Sequence, residues 1–207
     1  MRTIHLLLFP IACWLFFPIN VYAQNLTYEV YKGNSKIGEM DVKRHYNNGT
    51  WTYSSDSKVQ VSFLVSVDLQ FMYEATFTNN TLQRSLTQNM RDGKIRESSK
   101  GRRVGNQYVT DVNGETNTTS VDQIDECILT LYYHEPEGKT QIFSERWGKF
   151  IPVKKLGTHK YALVLPNGDE NHMTYEKGIC TELQINHTLA TLYFKLKNNL
   201  PGRLVSE

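Results

Sequence analysis

The chain has 207 residues, with 23 Lys and Arg against 21 Asp and Glu, a length that suits one domain with one sizeable core. Charge this balanced creates no global field to draw in nucleic acid or an anionic membrane. The three cysteines fit no zinc or redox spacing.

At the N-terminus Arg2 precedes an apolar run over 6–17, and Val21-Tyr22-Ala23 places a small residue before a cut. This pattern predicts a secretory signal over 1–23, cleaved after Ala23, and a β-rich domain over 24–207. Pro10 and Pro18 interrupt the run, which falls short of the ~20 apolar residues of a spanning helix. No second apolar segment follows, so no transmembrane segment is expected in the mature chain. Cys13 leaves with the leader and Cys127 and Cys180 remain. In an oxidising compartment that pair is a candidate disulfide; two buried thiols packing as small hydrophobes is the equal alternative.

From 26 to about 119 the chain reads as successive strands joined by short polar turns. Gly33-Asn34, Asn48-Gly49, Asn79-Asn80, Asp92-Gly93, Gly105-Asn106 and Asn113-Gly114 mark them. Connections this short favour antiparallel neighbours, because a parallel pair needs a crossover of a dozen or more residues. Within this region Val59, Val61, Phe63, Val65, Val67, Leu69, Phe71, Tyr73, Ala75 and Phe77 occupy every odd position, a period of two that means β-structure with one buried face. At ~3.3 Å per residue a straight strand over 59–77 would reach about 60 Å, far beyond a usual strand. A crease is therefore expected at 62–66, and a tight reversal into two strands is favoured over a bulge.

A run of Lys94, Arg96, Lys100 and Arg102 follows at one parity, which reads as a solvent-facing strand whose charges discourage edge aggregation. Next, Ser120 and Gln123 form a capping-box pattern, and Ile124, Cys127, Ile128 and Leu131 fall at helical spacing. This predicts one helix near 120–133, packed on the sheet and ended by Pro136 and Gly138. Asp122, Asp125 and Glu126 then read as acids favoured early in a helix by its dipole. Strands return after 140, with Pro166-Asn167-Gly168-Asp169 as a turn between two of them. The fold class is mainly β: an antiparallel meander forming a curved sheet or open barrel with one packed helix.

No catalytic motif accompanies this architecture, and no catalytic, cofactor or metal residues are assigned. Ser144-Glu145 read as surface polarity. His134, His159, His172 and His187, with Glu135 and Glu137 beside the first, lack a His-x-x-x-His or His-Glu-x-x-His frame and read as solvated or packed.

The segments Tyr28-Glu-Val-Tyr-Lys-Gly-Asn-Ser-Lys-Ile-Gly38, Leu131-Tyr-Tyr-His-Glu-Pro-Glu-Gly138, Phe143-Ser-Glu-Arg-Trp-Gly-Lys-Phe150 and Pro166-Asn-Gly-Asp-Glu-Asn171, with Gly178-Ile-Cys180 and the closing strand over 189–196, form a series. It resembles an uncharacterised family of exported β-rich Bacteroidota proteins, a domain of unknown function. The resemblance implies an envelope location, periplasmic in the simplest case, and supplies no catalytic or ligand residues. A looser, fold-level similarity is to periplasmic lipoprotein-carrier half-barrels.

Two functions follow as expectations. The first is a non-enzymatic envelope protein that binds a lipid or other apolar small molecule in its curved sheet, lined by Phe63, Val65, Val67, Leu69, Phe71, Tyr73, Ile128 and Leu131. The second is a structural or interaction module with a filled core and an envelope protein as partner.

Overall fold

The computed structural model describes residues 22–62, 66–187 and 190–197; the expected signal run before Tyr22 lies outside them. Eight strands come first: β1 (Tyr22–Lys32), β2 (Ser35–Asn47), β3 (Thr50–Ser62), β4 (Ser66–Thr78), β5 (Thr81–Arg91), β6 (Lys94–Val104), β7 (Gln107–Val112) and β8 (Glu115–Ser120). Six more follow: β9 (Gln141–Ser144), β10 (Lys149–Gly157), β11 (Lys160–Val164), β12 (Glu170–Glu176), β13 (Ile179–His187) and β14 (Ala190–Leu196). The predicted turns are where the strands reverse. At Asn48-Gly49, φ is 47° and 79°, the left-handed pair that a two-residue hairpin turn demands and that Asn and Gly tolerate.

All fourteen strands join one antiparallel sheet, in the order β8 through β1 and then β14 back to β9. Two meanders thus meet along β1 and β14, with Tyr28 opposite Leu196 and Val30 opposite Phe194. The long stripe is two strands, as expected: β3 and β4 pair from Thr50–Thr78 to Ser62–Ser66, which places the reversal at the predicted crease. On β6, Lys94, Arg96, Lys100 and Arg102 are all exposed, on the solvent side.

The two ends of the order, β8 and β9, are not hydrogen-bonded partners. Instead the β9–β10 hairpin lies against the β6–β8 wing. The Phe143 ring meets Tyr108 edge-on at 5.1 Å, and Thr119 Oγ1 donates to the Gly148 carbonyl. A Cβ at Gly148 would stand 2.7 Å from the Thr110 side chain, so the approach needs glycine at that turn.

The meander alternates its turns between two ends of the rolled sheet. The connection from β8 to β9 closes the end that carries the 48–49, 79–80 and 105–106 turns. Here the structure corrects the predicted helix near 120–133. Ser120 ends β8, opposite Gln107, and Gln123 donates its side-chain amide to the Asn80 carbonyl instead of reaching back to Ser120. Val121 N–H donates to Asn106, and Leu82 N–H donates to Ile124, so the backbone groups of this segment serve neighbouring turns rather than an i→i−4 ladder. The Arg103 guanidinium donates to the Val121 and Asp122 carbonyls. Only Ile128–Tyr132 turn helically, as a short 3₁₀ element. The helical spacing misled because the segment is a plug buried on several sides: Leu129, Thr130, Leu131, Tyr132 and Tyr133 are buried in succession.

Cys127 and Cys180 are separate buried thiols, which sets aside the disulfide and supports the alternative of small hydrophobes. Cys127 pairs as an isolated parallel bridge with Phe143, whereas the Cys180 thiol donates to the Glu182 carbonyl on its own strand.

Packing of the wing is tightest at Gly101, where a Cβ would lie 2.5 Å from Ser85 Oγ and from the Tyr108 ring. Gly101→Ala should lower the unfolding free energy by about 1–3 kcal/mol in a urea titration. Gly157→Ala, whose Cβ would meet nothing within 4 Å, should leave it within about 0.5 kcal/mol. Equal midpoints for the two variants would contradict this packing.

Candidate functional site

Burial changes along the stripe. Towards the plugged end, Ala75 and Phe77 of β4 and Tyr53 of β3 are buried, with Phe77 and Tyr133 both packed on the Tyr53 ring. Towards the other end, Val67, Leu69, Phe71 and Tyr73 are only half-buried although they continue the same face, and Val61 on β3 is half-buried too. Ile37, Leu165, Ile185 and Leu192 are also partly buried there. Plug residues fill the closed end, where Tyr132 meets Tyr28 edge-on at 5.6 Å. Among the described residues no plug reaches the open end, where these apolar side chains form a mouth.

A recess of about 360 Å³ opens at the base of the β3–β4 hairpin, with Ile37, Val59, Leu69 and Met90 as apolar walls and Lys58, Gln60, Asp68 and Gln70 around them. Of the residues expected to line a ligand site, Leu69 reaches this recess, and Val67, Phe71 and Tyr73 continue its strand face. Phe63 and Val65 lie outside the described residues. Leu131 is fully buried in the core and Ile128 packs beside it, so both belong to the plug and not to the mouth.

A second cavity, about 240 Å³, sits at the plugged end between Arg44, Trp51, Tyr53 and Phe77 of the sheet and Asp125, Glu126, Thr130 and His134 of the connection. The Arg44 guanidinium lies 4.5 Å from the Tyr133 ring centroid and 5.4 Å from that of Trp51, both within cation–π range. Its Nη1 is 3.2 Å from His134 Nε2. Burial and the Arg44 charge hold the His134 imidazole below its ordinary range, so at neutral pH it accepts from arginine. Asp125 and Glu126 do not start a helix; Lys139 pairs with them at 2.7 and 3.4 Å. Thr130 Oγ1 donates to the Cys127 carbonyl at 2.7 Å rather than to His134.

Residues 144 and 145 overturn the reading of surface polarity, since Ser144 and Glu145 are both completely buried. The Glu145 carboxylate accepts the N–H groups of Ile128 at 3.1 Å and Leu129 at 2.9 Å. These are the donors that a helical first turn leaves without partners. Its own carbonyl accepts from Ser99 Oγ at 2.8 Å, and the next residue, Arg146, forms an ion pair with Glu97. Desolvation raises the Glu145 carboxyl above the ordinary carboxylate range against these hydrogen bonds, and burial, then the nearby carboxylate, pushes the Cys127 thiol up. Sequence reasoning missed this group because a charged residue is seldom fully buried. The available signal was its position directly after Ser144, which follows the apolar Ile142-Phe143 pair at the end of a short strand.

A raised folded-state value for an acid means stability present below the unfolded value, near 4.5, and lost as pH rises through the folded value. The stability advantage of the natural chain over Glu145→Gln should therefore shrink from pH 4.5 upward in urea titrations, and parallel pH curves would refute the assignment. Glu145→Ala, which strands the N–H donors of Ile128 and Leu129, should cost on the order of 3 kcal/mol near pH 4.5, a cost that shrinks as pH rises in the same way.

The fold has a solved counterpart in the crystal structure of a beta-barrel-like protein of domain of unknown function DUF1849 from Brucella abortus. It aligns at a TM-score of 0.54 and 11% identity over 86% of this chain and 95% of that one. At that identity the likeness concerns the fold alone. Among curated proteins the sequence has no match. The pattern of one family runs through the described sheet, from Tyr28 at the β1–β14 seam to the residue after β14. Matched over residues 28–197, the chain belongs to the family described as domain of unknown function DUF6134.

Proposed function

We propose that this chain is a non-enzymatic exported protein of the bacterial envelope that holds a lipid or other apolar molecule in the open mouth of its curved sheet. The observation that carries this reading is the loss of burial along one continuous apolar face, from Phe77 under the plug to Leu69 and Val67 at the mouth. A core that needed only to be filled gains by burying that face throughout, since each methylene removed from water is worth about 0.8 kcal/mol. The recess beside Leu69 falls within the ~300–1,000 Å³ range of small-molecule sites.

Export rests on the leader pattern before Ala23 and gives a periplasmic protein. A cut after Ala23 removes only the first two residues of β1 and leaves the pairing of Leu26 with Val42 untouched. The non-enzymatic part rests on the absence of a catalytic motif in the sequence and on the engagement of Thr130 away from His134.

The competing reading, an envelope interaction module, draws on the same hairpin, because β3 and β4 remain paired beyond Gly38, where β2 last pairs with β3. Native mass spectrometry of protein taken from its own host, with lipid extraction, separates the two. A co-purifying lipid, and palmitate binding weakened at least tenfold by Leu69→Asp but not by Met72→Asp on the opposite, exposed parity, supports the carrier. Palmitate binding indifferent to Leu69→Asp, or a stoichiometric protein partner with no lipid, overturns it.

A further inference from the structure

We propose that Glu135, Glu137 and His159 form a binding site for a divalent transition-metal cation, zinc by preference. The residues come from two segments that the topology brings together at the plugged end: the loop leaving the 3₁₀ element, and the β10–β11 turn. One ligand atom from each lies within 4.8 Å of the others, the convergence that sequence spacing alone did not reveal.

The pocket for the ion is shaped without it. The Glu135 side chain is 6% exposed, and its Oε1 accepts the Tyr161 hydroxyl at 2.8 Å. That contact fixes the carboxylate, the outer-sphere support typical of metal ligands, and His159 Nδ1 lies 3.1 Å from Oε1 and 3.0 Å from Oε2. Two tetrahedral zinc ligands on bonds of ~2.1 Å stand about 3.4 Å apart, slightly wider than the present contact, so a small side-chain shift admits a cation in place of the hydrogen bond between them. Both backbone segments are tied independently of any ion. Glu137 N–H donates to the Glu135 carbonyl at 2.8 Å, and Tyr175 N–H donates to the His159 carbonyl at 2.9 Å.

Charge points the same way. Among the described residues no Lys or Arg forms an ion pair with Glu135 or Glu137, whereas Lys139 on the same loop is taken by Asp125 and Glu126. Two carboxylates therefore face one imidazole without a permanent counter-charge. One imidazole with two carboxylates suits zinc and its first-row neighbours; magnesium and calcium favour all-oxygen sites. The two ring tautomers allow Nδ1 to bind metal with the proton moved to Nε2. A bound ion would clamp the exit of the plug to the second meander.

Calorimetric titration of the metal-free chain with zinc chloride tests the site, with thermal melting alongside. The natural chain should bind one zinc ion with a dissociation constant on the order of micromolar and melt at higher temperature as zinc rises, and magnesium should do neither. Glu137 is exposed, so Glu137→Gln should melt unchanged without metal, and both it and His159→Ala should lose at least tenfold in zinc affinity. No saturable binding at 100-fold that concentration overturns the proposal. So does zinc binding of natural strength in His159→Ala, which would locate the metal elsewhere.

Discussion

A carboxylate with no access to water connects the two meanders. Glu145 closes the first turn of the plug through two backbone N–H groups, and its own backbone is fastened to β6 through Ser99. The β9–β10 hairpin therefore lies inside the β6–β8 wing instead of extending the sheet outward. A buried charge costs several kcal/mol unless its neighbours replace water, and here the replacements are the donors that a short 3₁₀ element leaves unsatisfied at its start. The arrangement answers two desolvation costs with one set of hydrogen bonds.

Everything at the plugged end depends on that anchor. With the 3₁₀ element held, Tyr132 and Tyr133 reach the sheet: the Tyr133 hydroxyl donates to the Val42 carbonyl at 2.7 Å, and its ring carries the Arg44 guanidinium on one face. Arg44 in turn orders His134, and the next residue of the loop, Glu135, meets His159 and Tyr161. The cavity by Trp51 and the Glu135 cluster are thus consequences of one segment lying across the end of the roll. Among the described residues the opposite end has no such segment, and there Val61 of β3 and Val67, Leu69, Phe71 and Tyr73 of β4 are left half-covered.

Much of the fold was legible in the residues because it depends on local rules. Period two over 59–77 and the Asn-Gly and Asp-Gly pairs specify strands and hairpins, and strand length alone required the crease between Val61 and Val67. The plug was not legible. Ile124, Cys127, Ile128 and Leu131 satisfy a helical period, but a segment buried on several sides satisfies that period by accident. Its backbone groups found partners at Leu82 and Asn106, distant in sequence. Of the expected lining, Leu69 lies at a recess, whereas Ile128 and Leu131 went to the plug for the same reason.

What the sequence by itself determined was the antiparallel meander, its turns and the inward side of β3 and β4, since all of these follow from alternation and turn chemistry between near neighbours. Only the tertiary structure decided how the meanders close on each other, that Glu145 lies inside, that Cys127 and Cys180 stay apart, and that Glu135, Glu137 and His159 meet. Those outcomes turn on which buried polar groups satisfy one another across long stretches of chain. That is a matter of packing, and no periodicity encodes it.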